Sequence, residues 1–202
     1  MFEQTQVLLK QSPMVFMFWN LLGISASRIG KYDIALQALK NAVTLNPSSA
    51  ETYFNMGIIF RAQGKLDDAI DAYKSTLSLK PDYADAYINL ANIFYHQGKI
   101  EEAIEGFKKA LTLVPNYAAA YNNIGLALSD QGKLSEAIES YKNAIYLQPD
   151  YAEAHNNIGV ALRDVGKLEE AIISFKKSIS IKPYKSKFYN NLGIGLQYQG
   201  KI

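Results

Sequence analysis

The chain contains six prolines, Pro13, Pro47, Pro81, Pro115, Pro149 and Pro183, and each lies 34 residues after the one before. Proline cannot continue a helix, so this spacing cuts the sequence into equal lengths, each closed by a break. A chain so divided folds as a row of like modules that each touch only their neighbours. A glycine series runs in step: Gly30, Gly64, Gly98, Gly132, Gly166 and Gly200, each followed by lysine. Glycine just past an apolar periodic run supplies the left-handed conformation that ends a helix. After the first five Gly-Lys pairs comes an apolar residue and then an acidic or hydroxyl one (Asp33, Asp67, Glu101, Ser135, Glu169), which suits the N-terminal end of a second helix.

Each unit therefore reads as helix A, a glycine turn, helix B and a proline-containing turn. The expected fold is all-α, a solenoid of stacked antiparallel helix pairs, with residues 1–202 forming a single array. Complete units span 16–49, 50–83, 84–117, 118–151 and 152–185; residues 1–15 hold a partial helix B of a preceding unit, and 186–202 the helix A of a truncated one. That predicts helices of about 12–15 residues, roughly 20 Å long.

Small and large residues alternate with the same period. The eighth residue of each unit is Gly23, Gly57, Ala91, Gly125, Gly159 or Gly193, and the twentieth is Ala35, Ala69, Ala103, Ala137 or Ala171. Large ones recur at the fourth (Trp19, Tyr53, Tyr87, Tyr121, His155, Tyr189) and the twenty-fourth (Leu39, Tyr73, Phe107, Tyr141, Phe175). Knobs and holes at fixed places read as inter-helix core, not as a cofactor box.

With these residues the sequence resembles the tetratricopeptide repeat (TPR) family, most fully in Ala118 to Tyr151 (AAAYNNIGLALSDQGKLSEAIESYKNAIYLQPDY). The resemblance implies a right-handed superhelix of helical hairpins with helix A lining the concave side. Thr76 and Ser178 depart from the family's alanine in helix B, and His155 from its aromatic.

A side chain at one place in the unit is copied along the solenoid at about the 8–10 Å spacing of packed helices. The sixth residues are Leu21, Asn55, Asn89, Asn123, Asn157 and Asn191. Asparagine is disfavoured by about 0.5 kcal/mol relative to alanine inside a helix, so a row of five needs a reason. A carboxamide both donates and accepts, so it can pair with a peptide group without reading side chains. Rungs about 10 Å apart would meet an extended strand, rising about 3.3 Å per residue, at every third residue. The row looks like the one lining the superhelix of O-linked N-acetylglucosamine transferase, where inward asparagines hold extended protein substrates, and Leu21 breaks it at the first rung. The competing reading is that the amides tie neighbouring helices together.

The partner expected is thus a protein or peptide in extended conformation, bound along the helix-A groove by Asn55, Asn89, Asn123, Asn157, Asn191 and Asn92, with Arg61, His96, Asp130 and Arg163 at the groove edge. A carboxylate clamp, the family's other familiar mode, is not expected, because the sixth residues are never basic.

Composition removes other classes. Lys and Arg number 21 against 19 Asp and Glu, too small an excess for neutralising many phosphates, so nucleic acid is not expected as a partner. Without a single cysteine there is no disulfide, thiolate metal site or cysteine nucleophile. The greasiest stretch, Met14 to Ile24, is interrupted by Asn20 and falls short of the roughly 20 apolar residues of a membrane span, so neither membrane partner nor leader is expected and the location reads as cytoplasmic. No HExxH, EF-hand or P-loop pattern occurs, and the two histidines, His96 and His155, take different places in the unit. The expectation is a protein-binding scaffold, not an enzyme, with no cofactor, metal or catalytic residue. Two further readings remain open: a structural spacer or self-association module, homo-oligomeric through uncapped ends where Leu192 and Leu196 would be exposed, or the substrate-recruiting part of a larger transferase. These rest on the chain stopping at Ile202.

Overall fold

A computed structural model describes residues 1–200. Among them the chain is entirely helical: α1 (Phe2–Gln11), α2 (Phe16–Arg28), α3 (Tyr32–Leu45), α4 (Ala50–Ala62), α5 (Leu66–Leu79), α6 (Ala84–His96), α7 (Ile100–Leu113), α8 (Ala118–Asp130), α9 (Leu134–Leu147), α10 (Ala152–Asp164), α11 (Leu168–Ile181) and α12 (Ser186–Tyr198). Even-numbered elements are the A helices, and odd-numbered elements from α3 onward are the B helices. Lys201 and Ile202, on which the expectation about the end of the array falls, lie outside the described residues.

The helices gather into two compact units, Met1–Ile93 and Phe94–Ile202. In the first, consecutive helices from α1 to α5 pack on one another and α2 also touches α4; in the second the same holds from α7 to α12, with α8 and α12 both against α10. Stacked antiparallel helix pairs are what the period demanded.

The turns at Gly30, Gly64, Gly98, Gly132 and Gly166 close with the same pair of bonds. Gly132 has φ 74°, its N–H donates to Ser129 O (2.9 Å), and the next N–H, of Lys133, donates to Leu128 O (2.9 Å). This Schellman arrangement satisfies two of the carbonyls a helix end leaves open, and only glycine adopts its dihedral without strain. The lysine then takes the N-cap position of helix B without a side-chain cap, and acidic residues fill the first turn, at the positive end of the helix dipole.

The eighth-position glycines are sockets for the twenty-fourth-position side chain. A Cβ built on Gly23 would stand 2.5 Å from Leu39, on Gly57 2.6 Å from the Tyr73 ring, on Gly125 2.5 Å from Tyr141, and on Gly159 2.6 Å from Phe175. Tyr73, Phe107, Tyr141 and Phe175 are fully buried, as are Ala35, Ala69, Ala103, Ala137 and Ala171. Where alanine gives way to Thr76 or Ser178, the buried hydroxyl donates back to its own helix, to Ala72 O (2.9 Å) or Phe175 O (2.7 Å), so the departure leaves no polar group unpaired. His155 likewise behaves as the aromatic it replaces: its Nε2 donates to Pro149 O (2.9 Å), as Trp19 Nε1 donates to Pro13 O (2.7 Å).

A second device ties one repeat to the next. Gln63 Nε2 donates to Asp33 Oδ1 (3.2 Å), Gln131 Nε2 to Glu101 Oε1 (2.8 Å), and Gln199 Nε2 to Glu169 Oε1 (2.9 Å). Ser135 holds the acidic place in its unit, and its would-be partner is Val165 rather than glutamine. Leu192 and Leu196, expected to be exposed, are half-buried, because α12 rests on both α10 and α11.

Candidate functional site

In the first unit the sixth-position amides behave individually. Asn55 is half-buried, and its Nδ2 is buried with no partner among the described residues. The fifth residue of the preceding repeat, Asn20, has its Oδ1 occupied by the Thr52 hydroxyl (3.4 Å). Asn89 turns its Nδ2 back to Asp85 O on its own helix (2.8 Å), since the fifth residue before it is Phe54, which offers no acceptor. Phe54 instead stacks on Tyr83, ring centroids 4.7 Å apart. Asn92 is half-buried, and Arg61 is exposed near the end of α4.

In the second unit the amides join. Asn191 Nδ2 donates to Asn156 Oδ1 (2.8 Å), Asn156 Nδ2 to Asn157 Oδ1 (3.4 Å), Asn157 Nδ2 to Asn122 Oδ1 (3.0 Å), and Asn122 Nδ2 to Asn123 Oδ1 (3.3 Å). All four bonds run the same way, from α12 through α10 to α8, so each polarises the next in the same sense. Asn122, Asn156 and Asn191 are buried, whereas Asn123 and Asn157 are half-buried.

At Asn157 and Asn191 the row of asparagines forms inter-repeat bonds, and there the amides tie neighbouring helices. The residues that sequence reasoning missed are the fifth-position partners, Asn122 and Asn156. Their signal was present as doublets, Asn122-Asn123 and Asn156-Asn157, but only packed helices show that the first member of one pair faces the second member of the next.

Asn156, Asn157 and Asn191 of this amide chain line a groove of about 380 Å³ walled by α8, α9, α10 and α12. Leu126, Val160 and Ala161 give it apolar stretches; Ser129, Asp130, Arg163 and Asp164 gather at the C-terminal ends of α8 and α10, and Lys187 stands at the start of α12. Asp130 Oδ2 accepts from the Tyr95 hydroxyl (2.7 Å), and Arg163 pairs with Asp164 (2.7 Å). Burial and the bond to the Asp130 carboxylate together hold the Tyr95 hydroxyl far above the ordinary phenol range, so it stays a donor. Tyr141, pushed up to about 12 mainly by burial, shares a hydrogen bond with the Ser129 hydroxyl (3.3 Å). His96 is exposed and lies against the Tyr95 ring (5.5 Å between centroids).

Such an arrangement presents hydrogen-bond donors and acceptors beside apolar side chains. Among the described residues no three metal-ligating side chains converge, and no helix is long and apolar enough to cross a membrane.

Period, socket glycines and cap geometry define a helical-hairpin repeat protein. Family models of the TPR repeat match residues 28–60, 57–98, 91–132 and 127–166, and the tetratricopeptide repeat model matches 152–185. The chain belongs to the tetratricopeptide repeat family. Among solved structures it is similar to a MamA, at 30% identity over 82% of this chain and 97% of that one, with a TM-score of 0.73. YrrB, described as a TPR protein with an unusual peptide-binding site, shares the fold over the full length of both chains at 19% identity and a TM-score of 0.74. PilF of Pseudomonas aeruginosa shares it at 18% identity, covering 92% of this chain and 85% of that one, with a TM-score of 0.82. No curated protein matches the chain.

Proposed function

We propose that this protein is a non-catalytic interaction scaffold whose helix-A groove holds an extended segment of another protein. The observation that carries the reading is the half-buried pair Asn123 and Asn157 on the amide chain. Asn157 has two N–H groups and an oxygen with two lone pairs, and its bonds to Asn122 and Asn156 use one of each. One donor and one acceptor remain, the complement of a peptide group. The bonds to neighbouring repeats also fix its rotamer in advance, so a ligand does not have to order it. In the first unit Asn55 and Asn89 take the same place in the repeat, and we extend the proposal to them. The peptide-binding behaviour described for YrrB accords with this reading at the level of fold.

The test is a selection of displayed random dodecapeptides against the protein and against Asn123→Ala/Asn157→Ala. Enrichment by the wild type that the double variant loses, at unchanged far-ultraviolet circular dichroism, supports the groove. If the double variant enriches the same peptides equally well, the amides are structural only. No enrichment by either protein points to a spacer whose groove stays empty.

A further inference from the structure

We propose that the groove of the second unit selects segments carrying a lysine or arginine, and that Asp130 receives the basic side chain. The inference rests on the reading of this groove as a peptide site and adds to it the chemistry of the partner.

Asp130 is the last residue of α8, and Asp164 the last of α10. A carboxylate there faces the negative end of the helix dipole, which disfavours it. The corresponding residue elsewhere is Arg28, Ala62, His96 or Tyr198, basic or neutral, so the repeat has no general need for acid at this place. Stability does not explain the two aspartates. Asp164 is answered locally: Arg163 donates Nε (2.9 Å) and Nη2 (2.7 Å) to its Oδ1. Asp130 is not. The last turn of α8 holds no basic residue, and Asp130 joins none of the ion pairs among the described residues.

Its surroundings fit a cation with an aliphatic stem. The Tyr95 hydroxyl binds Oδ2 (2.7 Å) and orients the carboxylate without neutralising it. Asp130 lines the same groove as Asn157, with Leu126 and Val160, both half-buried, in the lining between the helix ends and the amides. A lysine or arginine laid there would cover its methylenes against those two side chains while its charged head reached the acid. Lys187, which joins none of the ion pairs among the described residues, stands near the start of a helix A, whereas Asp130 ends one. A residue that lowers helix stability, lacks a counter-ion and is held in position by a neutral donor is arranged for a charge supplied from outside.

The same dodecapeptide selection tests this with one more variant, Asp130→Asn, which keeps an acceptor for Tyr95. The wild type is expected to enrich peptides with a lysine or arginine in a fixed register, and Asp130→Asn to enrich peptides without that preference. For the best wild-type peptide, replacing its basic residue by norleucine or citrulline, or Asp130 by asparagine, should weaken binding about five- to ten-fold, as expected of one charge-assisted bond at a partly open site. The two changes together should weaken it no further. The melting temperature of Asp130→Asn should not fall, since the change relieves the helix dipole. Peptides enriched without a basic residue, or a basic preference that survives in Asp130→Asn, overturn this proposal and leave the groove reading intact. Absence of any enriched peptide overturns both.

Discussion

Replacing Asn156 by alanine removes the central link of the amide chain. Asn156 is only 2% exposed; its Oδ1 accepts from Asn191 Nδ2 at 2.8 Å and its Nδ2 donates to Asn157 Oδ1 at 3.4 Å. Alanine leaves the buried Asn191 donor without a partner, a cost of about 1–3 kcal/mol, against about 0.5 kcal/mol regained in helix propensity. The short bond should dominate and the long one add little, so a loss of about 1–2 kcal/mol is expected. Because the partner belongs to the next helix A, the loss should fall on α12 first. Amide hydrogen exchange along α12 and denaturation followed by circular dichroism, measured for Asn156→Ala, Asn191→Ala and the double variant, isolate the link. The expected coupling is about 1 kcal/mol, since the double variant leaves neither group stranded. A coupling below about 0.3 kcal/mol, with exchange in α12 unchanged, would refute the claim that this amide chain joins repeats.

Tyr73→Phe should stabilise the protein by about 0.5–1 kcal/mol in denaturant melts, because the Tyr73 hydroxyl is buried without a partner and Phe107 and Phe175 fill the same place elsewhere. Burial pushes the Tyr73 hydroxyl up to about 12, so the wild type should lose stability as pH rises from the ordinary phenol value near 10 toward about 12, a loss that the phenylalanine variant lacks. Gly125→Ala and Gly132→Ala should both destabilise, for different reasons: the first drives a Cβ to 2.5 Å from Tyr141, at about 1–3 kcal/mol, and the second forces φ 74° on a residue with a Cβ, at about 1–2 kcal/mol, so Gly132→Asn should recover part of the loss and Gly125→Asn none. Installing the missing inter-repeat tie with Ser135→Glu and Val165→Gln together should raise stability by about 0.5 kcal/mol more than the sum of the two single changes. Burial alone would raise the Glu153 carboxyl, but the hydrogen bond and charge of Lys182 (2.8 Å) outweigh it and hold it below the usual range; the contribution is present above that range and lost as pH falls through the lowered value, so acid melts of Glu153→Gln should lack that component.

Much of the architecture was legible in the sequence because its determinants are local. Proline and glycine end helices by their own dihedral limits, wherever they stand, so their spacing gave helix count, boundaries and hairpin order before any contact was known. The glycine sockets were legible too, since a hole and the side chain that fills it recur at fixed places in the same unit. The ties between repeats left fainter marks. Ser135 paired with Val165, where acid and glutamine are the rule, is one; the Asn122-Asn123 and Asn156-Asn157 doublets are another.

What the tertiary structure alone decided is which polar groups find partners. Asn55, Asn89 and Asn157 share one place in the repeat, yet one amide is buried without a partner, one turns back on its own helix, and one bonds across to the previous repeat. The difference lies in the fifth residue of the neighbouring unit and in whether its acceptor is already taken, as Asn20 is by Thr52. Asp130 and Asp164 end equivalent helices, and only the placement of Arg163 makes one compensated and the other not. Helix breaks depend on one residue's own backbone and survive translation into a string of letters. Hydrogen bonds and ion pairs depend on distances between side chains some 35 residues apart, such as Asn157 and Asn122, which exist only once the helices have packed.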